Sequence, residues 1–286
     1  MCPRCDVSLG VFRGGNELRC RTCGFRIEAP QQCPVCQAVD VGRHGVGTER
    51  LEAEVAGLLP GVELLRLDSD VASSFARLRA VLDRFGAPGS RVLVGTQMIA
   101  KGHHFPEVTL VGVVNADLSL FFPDFRAEER TFAMLVQVGG RSGRGERPGR
   151  VLVQTLNPEA RPIAMAAAGQ HEEFYAGELA RRRELGYPPA TTLVVLEASA
   201  VDGGAVAGAA AHLVNATRAA LKAGEEEVLG PGPMRRLRGR YESRVVVKTT
   251  DTGKTIPALA AMAQRLEPGF NRKGVRLIAD VEPEWS

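Results

Sequence analysis

Apolar residues follow two rhythms along this chain. Short apolar runs occur at Val62-Glu-Leu-Leu-Arg-Leu67, Arg91-Val-Leu-Val94, Val108-Thr-Leu-Val-Gly-Val-Val114 and Val151-Leu-Val-Gln-Thr155. Between them, over Thr48–Leu59, Val71–Phe85 and Ala127–Val138, apolar side chains recur every three or four positions. Runs of that length suit strands and the longer period suits helices, so residues 39–157 are predicted to form an α/β layer with a mainly parallel sheet. Asn157-Pro158 closes this block. An Ala- and Arg-rich helical stretch over about 159–185 follows and stops at Gly186-Tyr-Pro-Pro189, a turn that reads as a hinge.

Beyond the hinge the pattern changes to strand (Thr192–Ala198), helix (Ala205–Ala223), strand (Arg244–Thr249), helix (Ile256–Leu266) and strand (Val275–Val281), an α+β module. Residues 1–38 show neither rhythm and hold too few apolar side chains for a core without a metal. Four segments are therefore expected: 1–38, a zinc-binding region; 39–157, an α/β lobe; 158–186, a helical linker; and 187–286, a C-terminal α+β domain.

Composition narrows the class. The chain has 286 residues, 44% hydrophobic and 24% charged, which is globular and enough for two or three domains. A formal net charge of +3 is too small to argue for nucleic acid on its own, so local clusters such as Arg235-Arg-Leu-Arg-Gly-Arg240 must carry that argument. No apolar run approaches the length of a membrane span and no secretory leader pattern opens the sequence, so the cytoplasm is the expected compartment and no membrane partner is expected.

All six cysteines lie in the first 36 residues, as the pairs Cys2/Cys5, Cys20/Cys23 and Cys33/Cys36. A Cys-x-x-Cys turn aims two thiolates at one point, and two such turns complete the tetrahedral shell that Zn²⁺ prefers. In a reducing compartment this spacing indicates metal rather than disulfides. Cys2, Cys5, Cys20 and Cys23 are the shortest complete set, which leaves Cys33 and Cys36 as a pair without partners.

Two further segments suggest phosphate chemistry. Gly95-Thr96-Gln97-Met-Ile-Ala-Lys101-Gly102 follows directly on a strand, where open α/β sheets bind ligands. Gln137-Val-Gly-Gly-Arg141-Ser-Gly-Arg144 ends a helix with two arginines three apart, a spacing that lets guanidiniums reach neighbouring phosphate oxygens.

With these segments in order, the chain resembles the PriA family of primosomal restart DNA helicases, of superfamily 2. The anchors are the paired cysteines, Gly45-Val-Gly-Thr-Glu49, Gly95-Thr-Gln-Met-Ile-Ala-Lys-Gly-His-His-Phe-Pro106, Asp117, Pro123-Asp-Phe-Arg-Ala-Glu-Glu-Arg130, the Gln137, Arg141 and Arg144 segment, and Gly186-Tyr-Pro-Pro189. The resemblance implies that residues 39–157 are a RecA-like second motor lobe. In it Gly95, Thr96, Gln97, Lys101 and Gly102 link DNA backbone and nucleotide, and Gln137, Arg141 and Arg144 face the ATP phosphates.

It also implies a C-terminal domain like ribosomal protein S10, with Arg235, Arg236, Arg238 and Arg240 placed to touch DNA. The family's zinc region has eight cysteines, one pair preceding the position of Cys2 and sharing a zinc with Cys33 and Cys36. The family's Walker A loop and Asp-Glu box do not occur in these 286 residues, so the chain reads as a fragment or a truncated gene product. The resemblance implies ATP with Mg²⁺ only when a first lobe is supplied. It further implies fork and single-stranded DNA, single-stranded-DNA-binding protein and primosome components as partners, and a place at the nucleoid. The competing reading is a non-catalytic zinc-containing platform for DNA and protein.

Several segments imitate sites. Val245-Val-Val-Lys-Thr-Thr-Asp-Thr-Gly-Lys254-Thr255 looks like a phosphate loop but has Lys248 where the wrapping glycine belongs. His103-His104 lacks a third ligand nearby, and the Asn215-Ala-Thr217 sequon would be unused in a cytoplasmic protein. Phe121, Phe122 and Phe125 read as packing or loop anchors rather than base-stacking platforms.

Overall fold

The computed structural model describes residues 1–12, 17–32, 36–37, 48–67, 71, 74–96, 107–140, 149–221 and 226–283. The chain divides into two compact units, one combining Met1–Val39 with Gly177–Ser286 and the other formed by Asp40–Ala176.

In the unit of residues 40–176 the strands and helices fall where the apolar rhythm places them. β4 (Glu63–Leu67) pairs in parallel with β5 (Arg91–Gly95), and β6 (Leu110–Val113) pairs in parallel with β7 (Arg150–Val153). The helices are α1 (Thr48–Leu58), α2 (Phe75–Gly86), α3 (Ala127–Gly139), α4 (Arg161–Ala168) and the first half of α5 (His171–Glu184). The single parallel sheet expected from sequence is, among the described residues, two separate two-stranded ladders. Strand periodicity predicts pairing competence and not which strands become neighbours.

The linker stretch is two helices, and Phe174 of α5 stacks on Phe132 of α3 with ring centroids 3.8 Å apart. Both rings are fully buried, which anchors the first turn of α5 on α3. Phe121 and Phe122 are exposed, at 81% and 56%, which leaves the loop rather than the core as their place, and Phe125 carries the Arg126 guanidinium 4.4 Å from its ring centre.

Asp117 ties two segments of this unit together. It sits in a short 3-10 turn, Ala116–Ser119, entered through Asn115 at φ 55°. Its carboxylate accepts from Leu156 N at 2.9 Å and from Thr155 Oγ1 at 2.8 Å. The Leu156 amide, opposed by burial and aided by Thr155, holds the carboxyl below its ordinary range.

A carboxyl of depressed pKa stabilises the fold above its unfolded value near 3.8, and that contribution disappears as pH falls through the lower folded value. Asp117→Ala leaves the Leu156 amide without its acceptor and should cost about 1–3 kcal/mol at neutral pH. Urea unfolding at pH 7 and at pH 3 checks this: the gap between wild type and variant should narrow in acid. A gap that does not change with pH would mean that the carboxylate charge contributes nothing.

The other unit is built on an antiparallel sheet of order β10-β11-β8-β12, with β9 also pairing to β11. Its strands are β8 (Thr192–Ala200), β9 (Glu227–Leu229), β10 (Arg235–Leu237), β11 (Arg240–Thr249) and β12 (Arg276–Val281). Helices α6 (Gly203–Leu221) and α7 (Thr252–Arg272) pack on one face through Leu196, Leu213, Val245, Val247, Leu259 and Phe270.

Gly186-Tyr-Pro-Pro189, read from sequence as a hinge, is held beside this sheet by Lys248 of β11. Gly186 takes φ +60° to end α5, Lys248 Nζ donates to Leu185 O at 2.8 Å and lies 4.7 Å from the Tyr187 ring centre, and buried Glu178 pairs with Arg182 at 2.8 Å. At the chain's start, β1 (Gly10–Phe12), β2 (Glu17–Arg19) and β3 (Arg26–Glu28) form a three-stranded antiparallel meander.

Candidate metal centre

Two cysteine turns, one before β1 and one joining β2 to β3, bring their sulfurs together. Cys2 N donates to Val7 O at 2.9 Å and Cys20 N to Phe25 O at 2.8 Å, so each turn folds back on the chain that follows it. Gly24 adopts φ +74°, which closes the second turn. The four sulfurs of Cys2, Cys5, Cys20 and Cys23 all lie within 4.8 Å of one another, and Cys2 Sγ is 3.6 Å from Cys23 Sγ. A tetrahedral zinc with bonds of about 2.3 Å sets sulfur–sulfur edges of about 3.8 Å, so the cluster matches the ion it is built for. Val7, Leu9 and Phe25 cover it.

The thiols differ in proton affinity. Burial pushes Cys5 up to about 12 and raises Cys2 as well. Cys20 is also opposed by burial, yet the amides of Cys23 and Thr22 draw it down to about 6. Zinc must displace protons from these sulfurs, so its retention falls as pH falls. Cys36 is exposed and outside the cluster, and Cys33 lies outside the described residues.

The basic run does not stand free in solvent. Arg235 is paired with buried Glu242, Arg240 Nη2 donates to Ser199 O at 2.8 Å, and the Arg236 guanidinium lies 5.7 Å from the Tyr241 ring centre. Arg238 is exposed, with Nε donating to Thr22 O at 3.2 Å. Sequence composition could locate the charge but not these internal acceptors, which come from β8, β11 and the ribbon.

Of the segments tied to phosphate chemistry, Gly95 ends β5, Thr96 is exposed beyond it and Gln137 is exposed on the last turn of α3. Gln97, Lys101, Gly102, Arg141 and Arg144 lie outside the described residues. The false phosphate loop is closed by its own side chains. Asp251 caps α7 by accepting from Lys254 N at 3.1 Å and pairs with Lys254 Nζ at 3.2 Å. Buried Thr255 shares a 2.8 Å hydrogen bond with Thr249. No described helix is long and apolar enough to cross a membrane.

Residues 2–27 match the model of the PriA DNA helicase Cys-rich region domain, and residues 183–284 match that of the primosomal protein N C-terminal domain. The Replication restart protein PriA of Bacillus subtilis is 36% identical over 284 residues, covering 99% of this chain and 35% of that protein. Those of Treponema pallidum and Thermotoga maritima are 35% and 34% identical, each over 99% of this chain and over 42% and 36% of their own lengths. The chain belongs to the PriA family. It spans between a third and a half of the length of these relatives, and its four clustered cysteines are the zinc-ribbon site of the family's cysteine-rich region.

Proposed function

We propose that this chain supplies the zinc ribbon, second motor lobe and C-terminal fork-binding domain of an ATP-dependent restart helicase that remodels stalled forks and assembles the primosome. What carries the reading is one chain that matches both the cysteine-rich region and the C-terminal domain of this family. Residues 39–157 serve as the RecA-like lobe, with Gly95 and Thr96 at the C-terminal end of a parallel strand, where such sheets take ligands.

Arg144, then Arg141, with Gln137 beside them, would stabilise charge on ATP held with Mg²⁺ by a first lobe outside these residues. The C-terminal domain, like ribosomal protein S10, would bind DNA together with single-stranded-DNA-binding protein and primosome components in the cytoplasm, at the nucleoid. The union of ribbon and C-terminal domain in one compact unit favours a second reading, a platform that binds DNA and protein without hydrolysing ATP.

Both readings require fork binding, which fluorescence anisotropy with a labelled fork measures. We expect weak affinity that drops steeply between about 50 and 200 mM salt. Of the four arginines, Arg238 is the exposed one, so Arg238→Ala should reduce the salt slope by about one. An unchanged slope would remove Arg238 from the contact, and absence of fork binding at low salt would overturn the DNA-binding reading.

A further inference from the structure

The turn joining β10 to β11 presses its backbone against the metal centre. Leu237 pairs with Arg240, leaving Arg238 and Gly239 as a two-residue loop with φ +51° and +82°. Positive φ at both places is the geometry of a tight hairpin turn, for which Asn-Gly is the ordinary choice. Arginine there is strained, and strain of this kind persists where surrounding contacts hold it.

Those contacts come from the ribbon. Arg238 N donates to Cys5 Sγ at 3.1 Å. Gly239 N donates to Arg4 O at 2.7 Å, and Asp6 N to Arg236 O at 2.8 Å. Arg236 N donates to Asp6 Oδ2 at 2.6 Å, and Arg238 Nε reaches Thr22 O. Residues 4–6 thus run along the free edge of β10, covering polar groups that an edge strand would otherwise expose.

We propose that this hairpin is part of the zinc centre's outer environment, so that metal loading of the ribbon and docking of the C-terminal domain are one linked equilibrium. The coupling follows from geometry. Five hydrogen bonds join residues 4–6 and 22 to the hairpin, so the ribbon fold that the metal would hold is the one that presents these partners. By linkage, whatever holds the hairpin down must also hold the metal, by the same factor. Asp6 is the handle: its carboxylate fixes the Arg236 amide two residues before the one that reaches Cys5, and it is not a ligand. Loss of outer partners of metal ligands commonly weakens metal binding by about 10–100-fold.

Two measurements on the zinc-loaded chain test this. The first is hydrogen exchange over 235–241 before and after chelation. Exchange should rise at least about tenfold on zinc removal, while the amides of Val245 and Val247 in the sheet's core stay protected. Unchanged exchange at the hairpin would overturn the proposal. The second is the rate of zinc transfer to a chromogenic chelator. Asp6→Ala should release zinc about tenfold faster or more, and Asp6→Asn, which keeps an oxygen acceptor, should restore most of the wild-type rate. A metal content near one in each protein at the start shows that the four-cysteine site itself is intact. With that content established, equal release rates for wild type and Asp6→Ala would overturn the coupling while leaving the zinc assignment in place.

Discussion

Replacing Cys5 with Ser is expected to empty the metal centre and unfold residues 1–28 while leaving the β8–β11 core folded. Cys5 is fully buried and takes one corner of the four-sulfur cluster. Apart from the cysteines, the apolar side chains packed on this cluster among the described residues are Val7, Leu9 and Phe25. Structural zinc supplies an apparent binding free energy of about 10–16 kcal/mol at neutral pH, far more than three partly buried side chains can replace. Native mass spectrometry should find about one zinc on the wild-type chain and none on the variant. A variant that still holds one ion would refute the ligand assignment. A wild-type count near two, with no sharing between chains, would show that Cys33 and Cys36 recruit a metal of their own.

Arg144→Ala carries the other large effect. In a protein that joins this chain to a nucleotide-binding lobe, the variant should lose DNA-stimulated ATP turnover by on the order of a thousandfold with little change in ATP binding. An arginine finger acts on charge that develops as the phosphoryl group transfers, so its loss lowers kcat far more than affinity. Arg141→Ala should show a smaller defect of the same kind. Full activity in Arg144→Ala would remove that residue from the ATP site.

Much of the fold was legible in the sequence because apolar rhythm and cysteine spacing report local geometry. The strands over 62–67 and 91–94 and the helix over 127–138 stand within a residue or so of their expected bounds. Cys2, Cys5, Cys20 and Cys23 meet as their spacing requires. Where distant segments decide the outcome, local pattern failed. α7 runs through Pro268 to Arg272, although a proline ordinarily ends a helix, because Phe270 is buried against the core of the C-terminal sheet.

β9 and β10 are three residues each and have no periodicity long enough to read; the ladders with β11 define them. The Arg235–Arg240 run reads from sequence as a basic cluster for DNA, and the pattern does not show its internal acceptors on Glu242, Ser199 and Thr22. Nothing in the spacing of Cys5 indicates that an amide more than two hundred positions later will donate to its sulfur. The one available signal was Arg238-Gly239, a two-residue loop between short apolar or aromatic positions, which predicts a hairpin but not its partner.

ATP turnover in the presence of forked DNA, measured for this chain alone and for the chain joined to a nucleotide-binding lobe, tests most directly whether these residues are half of a motor. Phosphoryl transfer needs a phosphate cradle and a Mg²⁺ held by carboxylates as well as positive charge, and the Walker A loop and Asp-Glu box that supply the first two do not occur in these 286 residues. The predicted result is no DNA-dependent turnover by the chain alone and clear turnover once the lobe is joined. Appreciable DNA-dependent hydrolysis by the chain alone would contradict the account, and an inert joined protein that still binds forks would replace the motor with the platform.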